Sequence, residues 1–242
     1  MARRKLQIEP SPKRVRAAFR GRMVADSTSV LLVWEHPYYP QYYFPRSEVA
    51  ARLEPTDTFE PERGLGTAQR YDVVSIAGDR AEGAAWSYPD IGDLADHVRF
   101  DWDAFERWFE EDEVVIVHPR SPYVRVDAIH SSREIRVDLG GTTIAHSSRS
   151  VMVFETGLPT RYYLPATDVR LDVLRESDTR TSCPYKGHAT YLSVQLDGTL
   201  HEDVAWSYAT PLREVAPVAG MISFHSETCN ISVDGVRVGN GA

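Results

Sequence analysis

Ala85-Trp86-Ser87-Tyr88 and Ala205-Trp206-Ser207-Tyr208 are one tetrapeptide written twice, 120 positions apart. One shared tetrapeptide decides little, so the test is whether the same offset aligns other residues. It pairs Gly21 with Gly141, Ala25 with Ala145, Ser27 with Ser147, Glu35 with Glu155, and Tyr42-Tyr43 with Tyr162-Tyr163. It also pairs Pro45 with Pro165, Val49 with Val169, Tyr71 with Tyr191, and Gly78 with Gly198. The chain is therefore a tandem repeat, and each copy is long enough to hold its own core. The reading divides it into a basic mobile tail (residues 1–14), a first repeat (15–130) and a second repeat (131–242).

Outward from the tetrapeptides, short alternating segments read as strands. Residues 16–20 and 23–26 flank Gly21 as 136–139 and 143–146 flank Gly140-Gly141, the pattern of a hairpin. Residues 30–35 and 151–155 follow, then 42–44 and 162–164, with a proline after each. The segments 71–77 and 81–88, and 191–196 and 200–208, make two further hairpins turning at Gly78 and Gly198. The fold class expected is all-β with short helices, in two tandem antiparallel domains. A helix is expected over 103–111, where Asp103 and Glu106 resemble a capping box and Trp102, Phe105, Trp108 and Phe109 share a helical face. A second is expected over 212–219.

Composition narrows the class. The 242 residues carry 27 basic and 35 acidic side chains, a net charge of −8, and 42% are hydrophobic, so a packed core is attainable. That charge argues against nucleic acid as the main partner despite the basic start. No apolar run approaches the roughly 18 residues that span a bilayer, so no membrane role is expected and the cytoplasm is the compartment expected. Cys183 and Cys229 are the only cysteines, too few for a disulfide framework or a four-thiolate zinc site. Neither His-Glu-x-x-His nor Gly-x-Ser-x-Gly occurs, and no metal or cofactor is expected. Of the 27 basic residues only Lys5, Lys13 and Lys186 are lysines, which leaves Lys186 as the one ammonium outside the expected tail.

The Tyr-Tyr-Phe-Pro of 42–45, the two Ala-Trp-Ser-Tyr motifs, the Cys183-Pro184-Tyr185-Lys186-Gly187 loop and the stretch from His118 to Asp127 resemble the bacterial family catalogued as domain of unknown function 427. The resemblance covers nearly the whole chain. It implies a β-tent-like fold, grouped with methionine sulfoxide reductase B and the ligand-binding domain of cereblon, and a nucleotidyltransferase-like label. Many such relatives carry zinc on two Cys-x-x-Cys pairs; this chain has none, so the resemblance brings no metal here.

Four groups are candidates for chemistry. In the loop 183–187, Cys183 offers a nucleophile and Lys186 an anion-binding charge, unless the loop is only a proline turn. Sliding by 120 sets it against Arg63 to Thr67, which has neither group, so any site belongs to the second repeat. The Gly64-Leu65-Gly66 there begins like a dinucleotide fingerprint, but Gln69 and the lack of a preceding buried strand reject it. The second group is aromatic: Trp206 and Tyr208 alternate onto one strand face and with Tyr163, Tyr191 and Tyr185 wall a pocket or pack a core, as do Trp86, Tyr88, Tyr43 and Tyr71 in the first repeat. The third is Glu155, a strand carboxylate that either pairs with Arg161 or faces Lys186 across a cavity; Glu35 is its first-repeat counterpart. The fourth is His118, Arg120 and Tyr123, an anion clamp or an ordered connector.

The function expected is binding of a small polar or anionic metabolite in the second repeat. The alternatives are a transferase-like enzyme using Lys186 or Cys183, and a structural or partner-binding protein without a pocket. On this reading Lys186→Met weakens binding by about 1–3 kcal/mol and leaves the melting temperature nearly unchanged.

Overall fold

A computed structural model describes residues 6–62 and 64–238. The chain divides into two compact units, residues 1–121 and 122–242. The first contains β1 (Ile8–Pro10), β2 (Val15–Phe19), β3 (Arg22–Ser27), β4 (Leu31–Val33), β5 (Gln41–Pro45), β6 (Arg52–Phe59), β7 (Ala68–Val74), β8 (Arg80–Ser87), β9 (His97–Phe100), β10 (Arg107–Glu110) and β11 (Glu113–Val115). The second contains β12 (Val126–Ser131), β13 (Ile135–Leu139), β14 (Thr142–Ser147), β15 (Ser150–Glu155), β16 (Arg161–Leu164), β17 (Leu174–Cys183), β18 (Gly187–Leu196), β19 (Thr199–Ser207), β20 (Ile222–Phe224), β21 (Asn230–Val233) and β22 (Val236–Arg237).

Each unit has a seven-stranded and a four-stranded sheet, with every strand pairing antiparallel. The order β1-β4-β5-β9-β8-β7-β6 is repeated as β12-β15-β16-β20-β19-β18-β17, and β11-β10-β2-β3 as β22-β21-β13-β14. The tandem reading thus holds strand for strand. In the second unit Ile135, Val137, Ile144, Leu164, Val204, Ile222, Phe224 and Ile231 form the main core, drawn from both sheets. Directly paired residues share a face, so Tyr163 and Trp206, each opposite Ser223, stand on the other side of the large sheet from Leu164, Ile222 and Phe224. There they join Val151, Val153, Tyr208, Val215 and Val218 in a smaller cluster.

Four expectations change. The boundary falls after Ser121, not at 130, because β12 pairs with β15 of the second unit. The expected tail contains β1, paired with β4, and Lys13, whose ammonium meets the buried carboxylate of Glu110; residues 1–5 lie outside the described residues. The helix over 103–111 is absent: a turn leads into β10, where Trp108 and Glu110 are buried on pairing with β2. The aromatic spacing suits the turn as well as a helix, since Phe105 and Trp108 both enter the first core, and the Glu106 carboxylate accepts from Gly21 N–H instead of capping its own segment. Over 212–219 a 3-10 segment, Arg213–Val218, forms instead of an α-helix, kinked at Val215 with Pro217 inside.

Candidate functional site

The loop after β17 is a tight turn: Lys186 N–H donates to Cys183 C=O at 3.3 Å, and Cys183 pairs with Gly187. Gly187 has φ +100°, a region that disfavours any side chain, and that conformation lets Lys186 C=O accept from Leu212 N–H at 3.0 Å. Held at both ends, the turn sends the Lys186 side chain to Glu155, and Nζ bonds Oε2. The two side chains are only 15% and 11% exposed.

This ion pair forms one side of a cavity of about 300 Å³. Trp206, Tyr191, Tyr163 and Tyr208 supply an aromatic wall, Val153, Leu158 and Pro159 an apolar one, and Arg161, His225 and Cys183 complete it. Trp206 Nε1 donates to Tyr163 Oη at 2.9 Å, which fixes both rings. Burial raises the Tyr163 phenol pKa and raises that of Tyr208 still more plainly, so both keep their protons. Tyr208 is 5% exposed, and its hydroxyl has no hydrogen-bond partner among the described residues. Burial, reinforced by the Arg161 charge, lowers the His225 pKa and favours the neutral ring. Arg161 does not reach Glu155; it lies 5.6 Å over the Trp206 ring and meets Glu227 and Ser226 at 3.6 and 3.5 Å.

The structure thus brings Glu155, Tyr163, Cys183, Lys186, Tyr191, Trp206 and Tyr208 to one cavity and leaves others out. Tyr185 is buried in the turn and does not line it. His118 stacks on Tyr39 at 3.7 Å with its pKa lowered by burial, Arg120 is partly buried, and Tyr123 is exposed; none of the three lines the cavity. Arg161 and His225 are lining residues that sequence reasoning did not assign to binding. For Arg161 a signal existed, two residues before Tyr163 on the same strand face; His225 follows β20, a strand the sequence pattern missed.

The repeat alignment also needs one adjustment. Tyr191 pairs with Trp206, but Tyr71 pairs with Ala85 and enters the main core, so the structural partner of Tyr191 is Arg70, opposite Trp86. Between the paired residues Val74 and Arg80 the first unit has five residues where the second, between Gln195 and Leu200, has four, and one residue reverses the face of a strand position; the loop before β7 (60–67) is also longer than its counterpart before β18 (184–186). The comparison of Lys186 with Gly66 is therefore loose, and Arg63 lies outside the described residues. Among the described residues no cluster of three His, Cys, Asp or Glu side chains could hold a metal ion, and no helix is long and apolar enough to cross a membrane.

A family model described as a domain of unknown function, DUF427, matches residues 7–111 and again 127–239. The chain belongs to the DUF427 family. It is a tandem member, with the two matches falling one in each structural unit. No match is found among curated proteins. The family description names no activity, so function is argued for this DUF427 protein from the cavity itself.

Proposed function

We propose that the second unit binds one small polar or anionic metabolite in the cavity walled by Trp206, Tyr191 and Tyr163, with Lys186, Arg161 and Tyr208 as polar anchors. The observation that carries this reading is the conjunction of a cavity, a largely buried ion pair in its wall and, beside it, the Tyr208 hydroxyl, which has no hydrogen-bond partner among the described residues. Among the charged lining groups, Lys186 and Arg161 are positive and Glu155 is negative, which leaves one positive charge in excess. An anion balances it. Glu227 holds Arg161 only at the limit of an ion pair, so the guanidinium remains available for a bidentate acid group. A protonated Tyr208 donates the orienting hydrogen bond, and a volume of about 300 Å³ lies at the small end of ligand pockets.

Thermal-shift screening with succinate, benzoate and inorganic phosphate, followed by calorimetric titration of any that stabilise, tests the proposal. One-to-one binding that weakens at least tenfold in Arg161→Gln supports it. The absence of saturable binding by all three counts against the anionic reading.

The second reading is a transferase-like enzyme, favoured by Cys183 lying in the same wall. Lys186 is held by Glu155, which leaves the thiol as the better nucleophile. A covalent adduct on Cys183 after incubation with simple thioesters distinguishes this reading from binding alone.

A further inference from the structure

The first unit repeats the framework of the cavity and fills it from within. Tyr43 and Trp86 occupy the strand positions of Tyr163 and Trp206, and Glu35, two residues beyond the end of β4, is the counterpart of Glu155 at the end of β15. The strand β9 places Arg99 opposite both Tyr43 and Trp86, whereas β20 places Ser223 opposite both Tyr163 and Trp206. One register position therefore carries a long cation in one copy and a small hydroxyl in the other. The Arg99 guanidinium lies 4.1 Å from the Trp86 ring centroid, and its Nη1 donates to Glu35 Oε2 at 2.7 Å, while Tyr43 Oη donates to Oε1 of the same carboxylate. Its side chain is 11% exposed and that of Glu35 3%. In the second copy the two tasks of Arg99 are divided: Lys186 comes to Glu155 from the loop, and Arg161 reaches over Trp206 from β16. Both stand in the wall, and the space between is open. The hydroxyls follow the same pattern, since Tyr88 Oη accepts from Leu65 N–H at 3.3 Å, whereas that of Tyr208 has no partner among the described residues.

We propose that Arg99 is a built-in occupant: its guanidinium fills, in the first unit, the place that the second unit leaves open, and its removal makes the first unit a site for a small planar cation such as an alkylguanidinium. The inference does not depend on which ligand the second unit takes. It assigns Arg99 a blocking role that closes this place in the first unit, and it names the chemistry of the closed site: a planar cation between an indole face and a buried carboxylate.

The test uses the full chain with Arg99→Ala and low-millimolar methylguanidinium chloride, against ammonium chloride at equal ionic strength. Arg99→Ala is expected to melt below the native protein, and methylguanidinium is expected to raise its melting temperature in a saturable way while leaving the native protein unmoved. Arg99→Ala/Glu35→Gln is expected to lose that response, because the carboxylate that receives the cation is gone. If Arg99→Ala folds only when methylguanidinium is present, the proposal is supported equally. A folded Arg99→Ala with no saturable response overturns it, as does an equal response in the native protein. Failure to fold with and without methylguanidinium, while Arg99→Lys folds, also overturns it, because Arg99 would then be a strut of the fold and not an occupant.

Discussion

At the scale of single residues, the two thiols differ in setting. Cys229 is 2% exposed within the second core, and burial pushes its pKa up to about 12, whereas Cys183 is only partly buried and lines the cavity. Because the thiolate is the reactive form, iodoacetamide on the native protein near pH 8 is expected to label Cys183 and spare Cys229 until the chain unfolds. Peptide mass spectrometry over time reads this, and equal rates would contradict it. Lys186 shows where the geometry revises a sequence expectation. Its ammonium is the counter-ion of a carboxylate 11% exposed, so Lys186→Met strands Glu155 and lowers stability by at most about 3–5 kcal/mol, in place of the unchanged melting temperature expected above. Lys186→Met/Glu155→Gln is expected to recover most of the loss in a thermal melt.

At the scale of elements, the turn between β17 and β18 sets the site. Gly187 takes φ +100°, and nothing lies closer than 3.5 Å to where a Cβ would stand, so the constraint is conformational and not steric crowding. Gly187→Ala is expected to cost roughly 1–2 kcal/mol through backbone strain alone, and to loosen the Lys186–Leu212 hydrogen bond that aims the lysine. Denaturant unfolding measures the first effect; a weaker response of the variant to anions measures the second. The missed elements belong to the same scale. Residues 107–110 form a strand because β2 offers a partner edge, and neither the capping-like pair nor the aromatic spacing outweighs that pairing.

At the scale of the whole molecule, both units partly bury histidines in surroundings that favour the neutral ring. Burial is the first cause that lowers the pKa of His97 and His118 in the first unit and of His225 in the second. A group whose native pKa lies below its unfolded value of about 6.5 binds fewer protons when folded, so the stability it contributes is complete above that value and declines as pH falls below it. Acidification from pH 7 to pH 5 is therefore expected to lower the melting temperature, and His225→Gln to flatten the fall for the second unit. Calorimetry at a series of pH values checks both the sign and the window.

What the sequence determined by itself was the plan of the molecule. A recurring offset of 120, from Gly21 with Gly141 to Tyr88 with Tyr208, implied two equivalent folds, because residues that recur at turns and strand faces recur for the same backbone reasons. It also pointed to Lys186, Glu155, Trp206 and Tyr208 as a group, through strand alternation and the scarcity of lysine. Tertiary structure alone decided the rest. The choice between Arg161 and Lys186 as partner of Glu155 depends on where a loop distant in sequence closes, and spacing along the chain carries no such information. The assignment of Tyr71 to a core and Tyr191 to a cavity turns on one added residue in the turn between β7 and β8, which reverses the face of every position until a bulge or turn restores it. The occupant of the first unit emerged only when β9 and β20 were seen in register. An arginine and a serine at one position look unrelated in sequence, and packing makes one of them the stopper of a cavity that the other leaves empty.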